Sequence, residues 1–148
     1  MKNNKKGFTL VELLAVIVIL AIIALIATPI ILNVIDNAKE GAAKNSAYGY
    51  IDALEKANAQ AILKNSEVTV LNDTYTISDS GKVVTYGSDK SKSMTVNFKG
   101  DAPTDGGTLT YTNGKLTGGS ITVSGKAFSV TSAGELTKST SKYLVNEK

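Results

Sequence analysis

Residues 13–35 run for 23 positions without a charge, and the residue immediately before them is a glutamate, Glu12. A helix needs about 20 apolar residues to cross a bilayer, so this run is long enough to span one. The β-branched content of Val16-Ile17-Val18-Ile19 would favour a strand in water. In hydrocarbon a lone strand leaves its backbone groups unpaired, so helix follows by elimination. A carboxylate at the edge of hydrocarbon is costly, and such a residue marks a function and calls for a partner. A plain anchor has no use for Glu12.

Charge is distributed as unevenly as hydropathy. The net charge of +3 resides in Lys2, Lys5 and Lys6, all before Gly7, because the other 13 of the 16 basic residues are balanced by 13 acidic ones. That pattern fits a short leader held on the cytoplasmic side, with everything beyond the apolar run on the outer side. It argues against nucleic acid as a partner of the folded domain, which would need a basic patch. The chain has neither cysteine nor histidine. Disulfides, thiolate chemistry, and the commonest metal ligand and general base are therefore absent. No catalytic constellation remains, so the chain is expected to be neither an enzyme nor a cofactor carrier.

The sequence divides into a leader (1–7), an apolar helix half (8–35), an amphipathic helix half (36–65) and a domain of strands and turns (66–148). In the second half, Ala47, Tyr50, Ile51, Leu54, Ala57 and Ala61 recur at three- and four-residue spacing, which makes one packing stripe. Tyr48 and Tyr50 belong to the core and its rim. Asp52 and Lys56 stand at i and i+4, a pair worth a few tenths of a kcal/mol. Beyond Asn65 the alternation predicts strands over 68–71, 74–77, 83–86, 94–98, 108–112, 115–117, 121–123 and 128–130. Asn113-Gly114 is the strongest two-residue hairpin signal, and Ser124-Gly125 marks another turn. The expected fold class is α+β: a long N-terminal helix packed on an antiparallel β-sheet.

The string Lys-Lys-Gly-Phe-Thr-Leu-Val-Glu-Leu-Leu (5–14) resembles the class III signal of type IV pilins and pseudopilins. Glu12 stands four residues after Phe8 and Pro29 twenty-one after it, the spacings at which that family carries its glutamate and proline. The resemblance covers residues 5–35 closely and the remainder only in architecture. It implies cleavage between Gly7 and Phe8 by the membrane prepilin peptidase, methylation of the new Phe8 amine, and assembly through Glu12 and Thr9. It further implies self-assembly into a helical filament with an assembly ATPase and an inner-membrane platform protein. The precursor would be a single-pass membrane protein with its N-terminus inside; the assembled form would be a cell-surface pilus. The absence of cysteine makes the chain look more like the pilins of Gram-positive bacteria.

The residues suit that role on physical grounds. A cut before the apolar run retains it, whereas an ordinary signal peptide loses a shorter apolar region. Gly7 can lie extended in a tight protease cleft. Cleavage creates an ammonium near Glu12, and an ion pair with a neighbouring subunit would set the register of stacking. Pro29 offers no N–H to Leu25 and crowds its carbonyl, which predicts a helix kink. The loop with Asp101 and Asp105 has oxygens a calcium ion could use, but two aspartates around Pro103 and Gly106 are the composition of a solvated turn, so no metal is expected. The function expected is a type IV pilus subunit serving adhesion, twitching motility or aggregation. A pseudopilin of a secretion or DNA-uptake machine is the alternative, and a monomeric membrane-anchored adhesin a lesser one.

Overall fold

The structure, a computed structural model, describes residues 7–64 and 70–139. The fold is α+β. Helix α1 (Leu10–Lys64) is followed by strands β1 (Thr74–Ser78), β2 (Val83–Tyr86), β3 (Lys92–Thr95), β4 (Thr108–Thr112), β5 (Lys115–Val123), β6 (Lys126–Val130) and β7 (Leu136–Lys138). The seven strands form one sheet in the order β3-β2-β1-β4-β5-β6-β7, and every pairing is antiparallel.

Contacts divide the chain into two units, Met1–Lys39 and Glu40–Lys148. In the first, the helix exposes nearly all its large apolar side chains, Leu10 and Leu25 among them. By length and composition α1 is able to cross a membrane, and its most apolar window has no residue buried within the chain.

In the second unit the helix stripe meets the sheet. Ala43, Ala47, Tyr50, Ile51, Ala53 and Leu54 are buried against Tyr75, Ile77, Val84, Leu109, Ile121 and Phe128. The small alanines let α1 lie close to the strands while Tyr50 and Leu54 fill the space between. Ala57 and Ala61, expected on the stripe, are only half-buried, and the polar Asn58 is buried in their stead. Aromatic pairs tie the core together: Tyr50 packs edge-on against Phe98 with ring centres 5.2 Å apart, and Tyr75 against Tyr111 at 5.8 Å. Tyr48, at the rim, accepts a hydrogen bond from the Leu136 amide at 2.9 Å. Lys138 reaches Glu40 on the helix at 2.6 Å.

The turns behave as their residues dictate. Asn113 and Gly114 take φ of 51° and 77°, the left-handed pair that a two-residue hairpin demands. Ser124-Gly125 does the same between β5 and β6. Three expectations need correction. Residues 68 and 69 lie outside the described residues, and Val70 and Leu71 form irregular backbone, although Leu71 is buried. The strand expected over 94–98 sits at Lys92–Thr95, because beyond it the chain turns toward α1 and puts Phe98 on Tyr50. The two short strands at 115–117 and 121–123 are one strand, β5, continuous through Gly118-Gly119. A bulge opposite Thr110 and Tyr111 brings Gly119 so close to the Thr108 carbonyl that any Cβ would collide with it.

Candidate functional site

The first turn of α1 is the place where sequence and chemistry converge. Helix begins at Leu10, so Gly7, Phe8 and Thr9 precede it in non-helical backbone, and Phe8 is 92% exposed. The Gly7–Phe8 bond is therefore free to enter a cleft in extended form. A Cβ built on Gly7 would meet nothing within 4 Å. Nothing in the chain's own described fold requires glycine there.

Thr9 and Glu12 close a reciprocal capping box. The Glu12 amide donates to Thr9 Oγ1 at 3.3 Å, and the Thr9 amide donates back to Glu12 Oε2 at 2.8 Å. The Thr9 hydroxyl adds a third bond, to the same Oε2, at 2.9 Å. Thr9 is thus the N-cap and Glu12 the third helical residue, and together they satisfy amides that the helix start leaves without partners. The carboxylate also sits where the helix dipole favours negative charge. All the hydrogen bonds to Glu12 fall on Oε2; among the described residues Oε1 receives none.

Glu12 therefore has hydrogen-bond partners in its own chain, in Thr9, which leaves a charged partner from a neighbouring subunit open. The signal for the Thr9 bonds was present: Thr-x-x-Glu ahead of an apolar run is the sequence form of a capping box. What the box leaves over is one oxygen and a full negative charge.

Further along, α1 carries Pro29 in its interior and continues through Lys64. Thr28 turns its hydroxyl back onto the Ala24 carbonyl at 2.6 Å, beside the Leu25 carbonyl that proline leaves without a donor. Asp101 and Asp105 are both engaged in structural hydrogen bonds. Asp101 Oδ2 accepts from Ser124 Oγ at 2.6 Å, and Asp105 Oδ1 from the Ser80 amide at 2.7 Å. These bonds fasten the loop to neighbouring turns. Among the described residues no group of three acidic side chains is placed to hold a metal ion.

Residues 2–28 match the family model described as the prokaryotic N-terminal methylation motif. No significant match to a curated protein or to a solved structure was found. The matched segment takes in Gly7, Phe8, Thr9 and Glu12, and with the apolar helix it supports a membrane-anchored precursor. The chain thus carries a prepilin-type methylation motif at its N-terminus, ahead of a fold in which one long helix packs on a seven-stranded antiparallel sheet.

Proposed function

We propose that this chain is the structural subunit of a type IV pilus. Prepilin peptidase cuts it between Gly7 and Phe8, the Phe8 amine is methylated, and the mature subunits stack through their apolar helix halves. The observation that carries this reading is Glu12 Oε1, which accepts no hydrogen bond among the described residues, at the head of an exposed apolar helix. Cleavage releases an ammonium four residues before Glu12, and in an array that ammonium is available to the carboxylate of a neighbour.

Magnitudes favour such a pair. The capping box is worth about 1 kcal/mol. An ammonium about 4 Å from a carboxylate is worth about 4 kcal/mol at an effective dielectric constant near 20. Because a carboxylate has about four acceptor positions, Glu12 keeps Thr9 on Oε2 while Oε1 takes the ammonium. A subunit stacked out of register leaves a charge unpaired in the apolar fibre core, which costs about 3–5 kcal/mol. Glu12 then acts as a register device, and Thr9 as the residue that holds it in position.

Mass spectrometry of the mature N-terminus tests the processing step, with a chain beginning at N-methylated Phe8 as the expected result. Electron microscopy of sheared surface material tests the assembly step, with long filaments labelled by an antibody to residues 70–139. An N-terminus retaining residues 1–7 would overturn both. Methylated Phe8 without surface filaments would favour the pseudopilin.

A further inference from the structure

Side chains alternate along the strands, so the sheet has a face toward α1 and a face away from it. On the far face, paired positions line up across all seven strands. From β2 to β6 the row reads Thr85, Thr76, Thr108, Ser120 and Ser129. Ser93 and Thr137 continue it on the two edge strands. Each strand contributes one hydroxyl. On the same face Thr74, Ser78, Thr95, Thr110, Thr112 and Thr122 also bear hydroxyls, interrupted by Val83, Gly118 and Ala127, and some already pair hydroxyl to hydroxyl: Thr74 with Thr110 at 3.0 Å, Thr112 with Thr117 at 3.2 Å.

The face is also nearly free of charge. Among its described strand residues only Lys115, beside the β4–β5 turn, carries one. The other strand lysines, Lys92, Lys126 and Lys138, pair with Tyr86, Val123 and Phe128 and so belong to the helix side. In a chain with 16 basic and 13 acidic residues, charge has been kept off one face. The connection from β3 to β4 leaves it open, since Phe98 packs on Tyr50 of α1.

We propose that this face docks a second copy of the chain, sheet against sheet, and that filaments of the kind proposed above associate side by side through it. Three properties select that occupant. Identical faces bearing many charges would set like against like, and a face whose one strand charge, Lys115, lies beside a turn avoids this over most of its area. Hydroxyls donate and accept, so a surface of them complements itself. A sheet is twisted, and the shape that follows a twisted sheet is another of the same hand, crossed at about 30°. The face has no aromatic side chain in its strands on which a sugar ring could stack.

Area explains why the contact belongs to filaments. Seven strands about 4.8 Å apart, with about five residues at 3.3 Å each, give roughly 500 Å². A stable pair buries about 800 Å² on each partner. One sheet pair is therefore transient, and repetition along two filaments makes it lasting. The proposal takes its strength, though not its geometry, from the filament reading.

The chain has no cysteine, so single thiols report contacts without background. In a two-fold contact the axis passes near the middle of the face, and Thr108 lies on the central strand. Cells making the full chain with Thr108→Cys or Ser120→Cys are treated with a short, membrane-impermeant bis-maleimide. Both should give cross-linked dimers, and Gln60→Cys, exposed on α1, should not. Adding Thr76→Lys and Ser129→Lys should lower the cross-link more than about tenfold, since like charges brought face to face cost several kcal/mol. Mixing cells bearing those lysines with cells bearing glutamates at the same positions should restore it. Cross-linking of Thr108→Cys no greater than that of Gln60→Cys would overturn the proposal. So would retention of the unmodified protein on a neutral polysaccharide in place of cross-linking, which would assign the face to a glycan. Filaments counted on the same cells separate the two claims: filaments without the cross-link refute only the docking face, and the cross-link without filaments only the pilus.

Discussion

Thr9 and Glu12 satisfy each other's backbone amides across the first turn of α1, at 3.3 and 2.8 Å. The geometry makes Thr9 the anchor of the helix start. Thr9→Val keeps the shape and removes the hydroxyl that caps the Glu12 amide. Losing such a cap costs about 1 kcal/mol, or roughly fivefold in the local opening equilibrium. Amide hydrogen exchange of residues 10–13, measured on the full chain in micelles, should accelerate by about that factor while residues 43–58 are unchanged.

Gly7 separates recognition from folding. A side chain there meets nothing in the described chain, so Gly7→Val should leave the circular dichroism and thermal midpoint of the protein unaltered. It should nonetheless block cleavage, because an extended glycine is what a narrow protease cleft admits. The measurement is the ratio of precursor to mature chain in membranes, which should shift almost entirely to precursor.

Two buried tyrosines should respond oppositely to loss of their hydroxyls. Tyr50 is fully buried, and its Oη has no hydrogen-bond partner among the described residues. Tyr111 donates to Glu55 Oε1 at 3.3 Å. Removing an unsatisfied buried hydroxyl is neutral or stabilising, whereas removing a bonded one costs about 1 kcal/mol. Tyr50→Phe should therefore hold or raise the denaturant midpoint, and Tyr111→Phe should lower it.

The same burial predicts an alkaline limit. Desolvation pushes the phenols of Tyr50, Tyr75 and Tyr111 above their ordinary value, and the Glu55 carboxylate raises Tyr111 further. The folded chain keeps these protons while the unfolded chain releases them near pH 10. Their contribution to stability is complete below about pH 10 and is lost as pH climbs above it. Phenolate absorbance at high pH should therefore rise together with loss of the sheet's far-ultraviolet signal. Phenolate formation at these three residues near pH 10 with the sheet intact would contradict the burial described here.

What could be read in advance, and what could not, follows from the range of the forces involved. The apolar run, the Asn113-Gly114 hairpin and the Tyr50–Leu54 stripe are local patterns, and they were legible. β7 was not, since three residues, Leu136-Thr137-Lys138, are too few to alternate and depend on β6 for pairing. Gly118-Gly119 looked like a break because glycine weakens strands, yet here a bulge and a close backbone approach require it. At the candidate site, Glu12 is visible as a lone charge beside the apolar run, whereas Gly7 and Phe8 are singled out only by the resemblance to the class III signal. The Thr9-x-x-Glu12 capping box is a local pattern as well, but beside an apolar run a lone carboxylate reads first as a charge near a membrane, which hides its use as a helix-start acceptor. The hydroxyl row across the sheet needs strand order, which no local pattern carries.

Glu12→Gln tests the central claim most directly. Glutamine serves a capping box as glutamate does, so helix start and membrane insertion stay as they are. The charge alone disappears, and with it the pair to a neighbour's Phe8 ammonium. The measurement is the amount of processed variant in sheared surface filaments relative to the processed variant left in membranes. The account predicts normal cleavage after Gly7 with incorporation reduced more than about tenfold, as expected for several kcal/mol of lost pairing. Incorporation equal to that of the unmodified chain would contradict it.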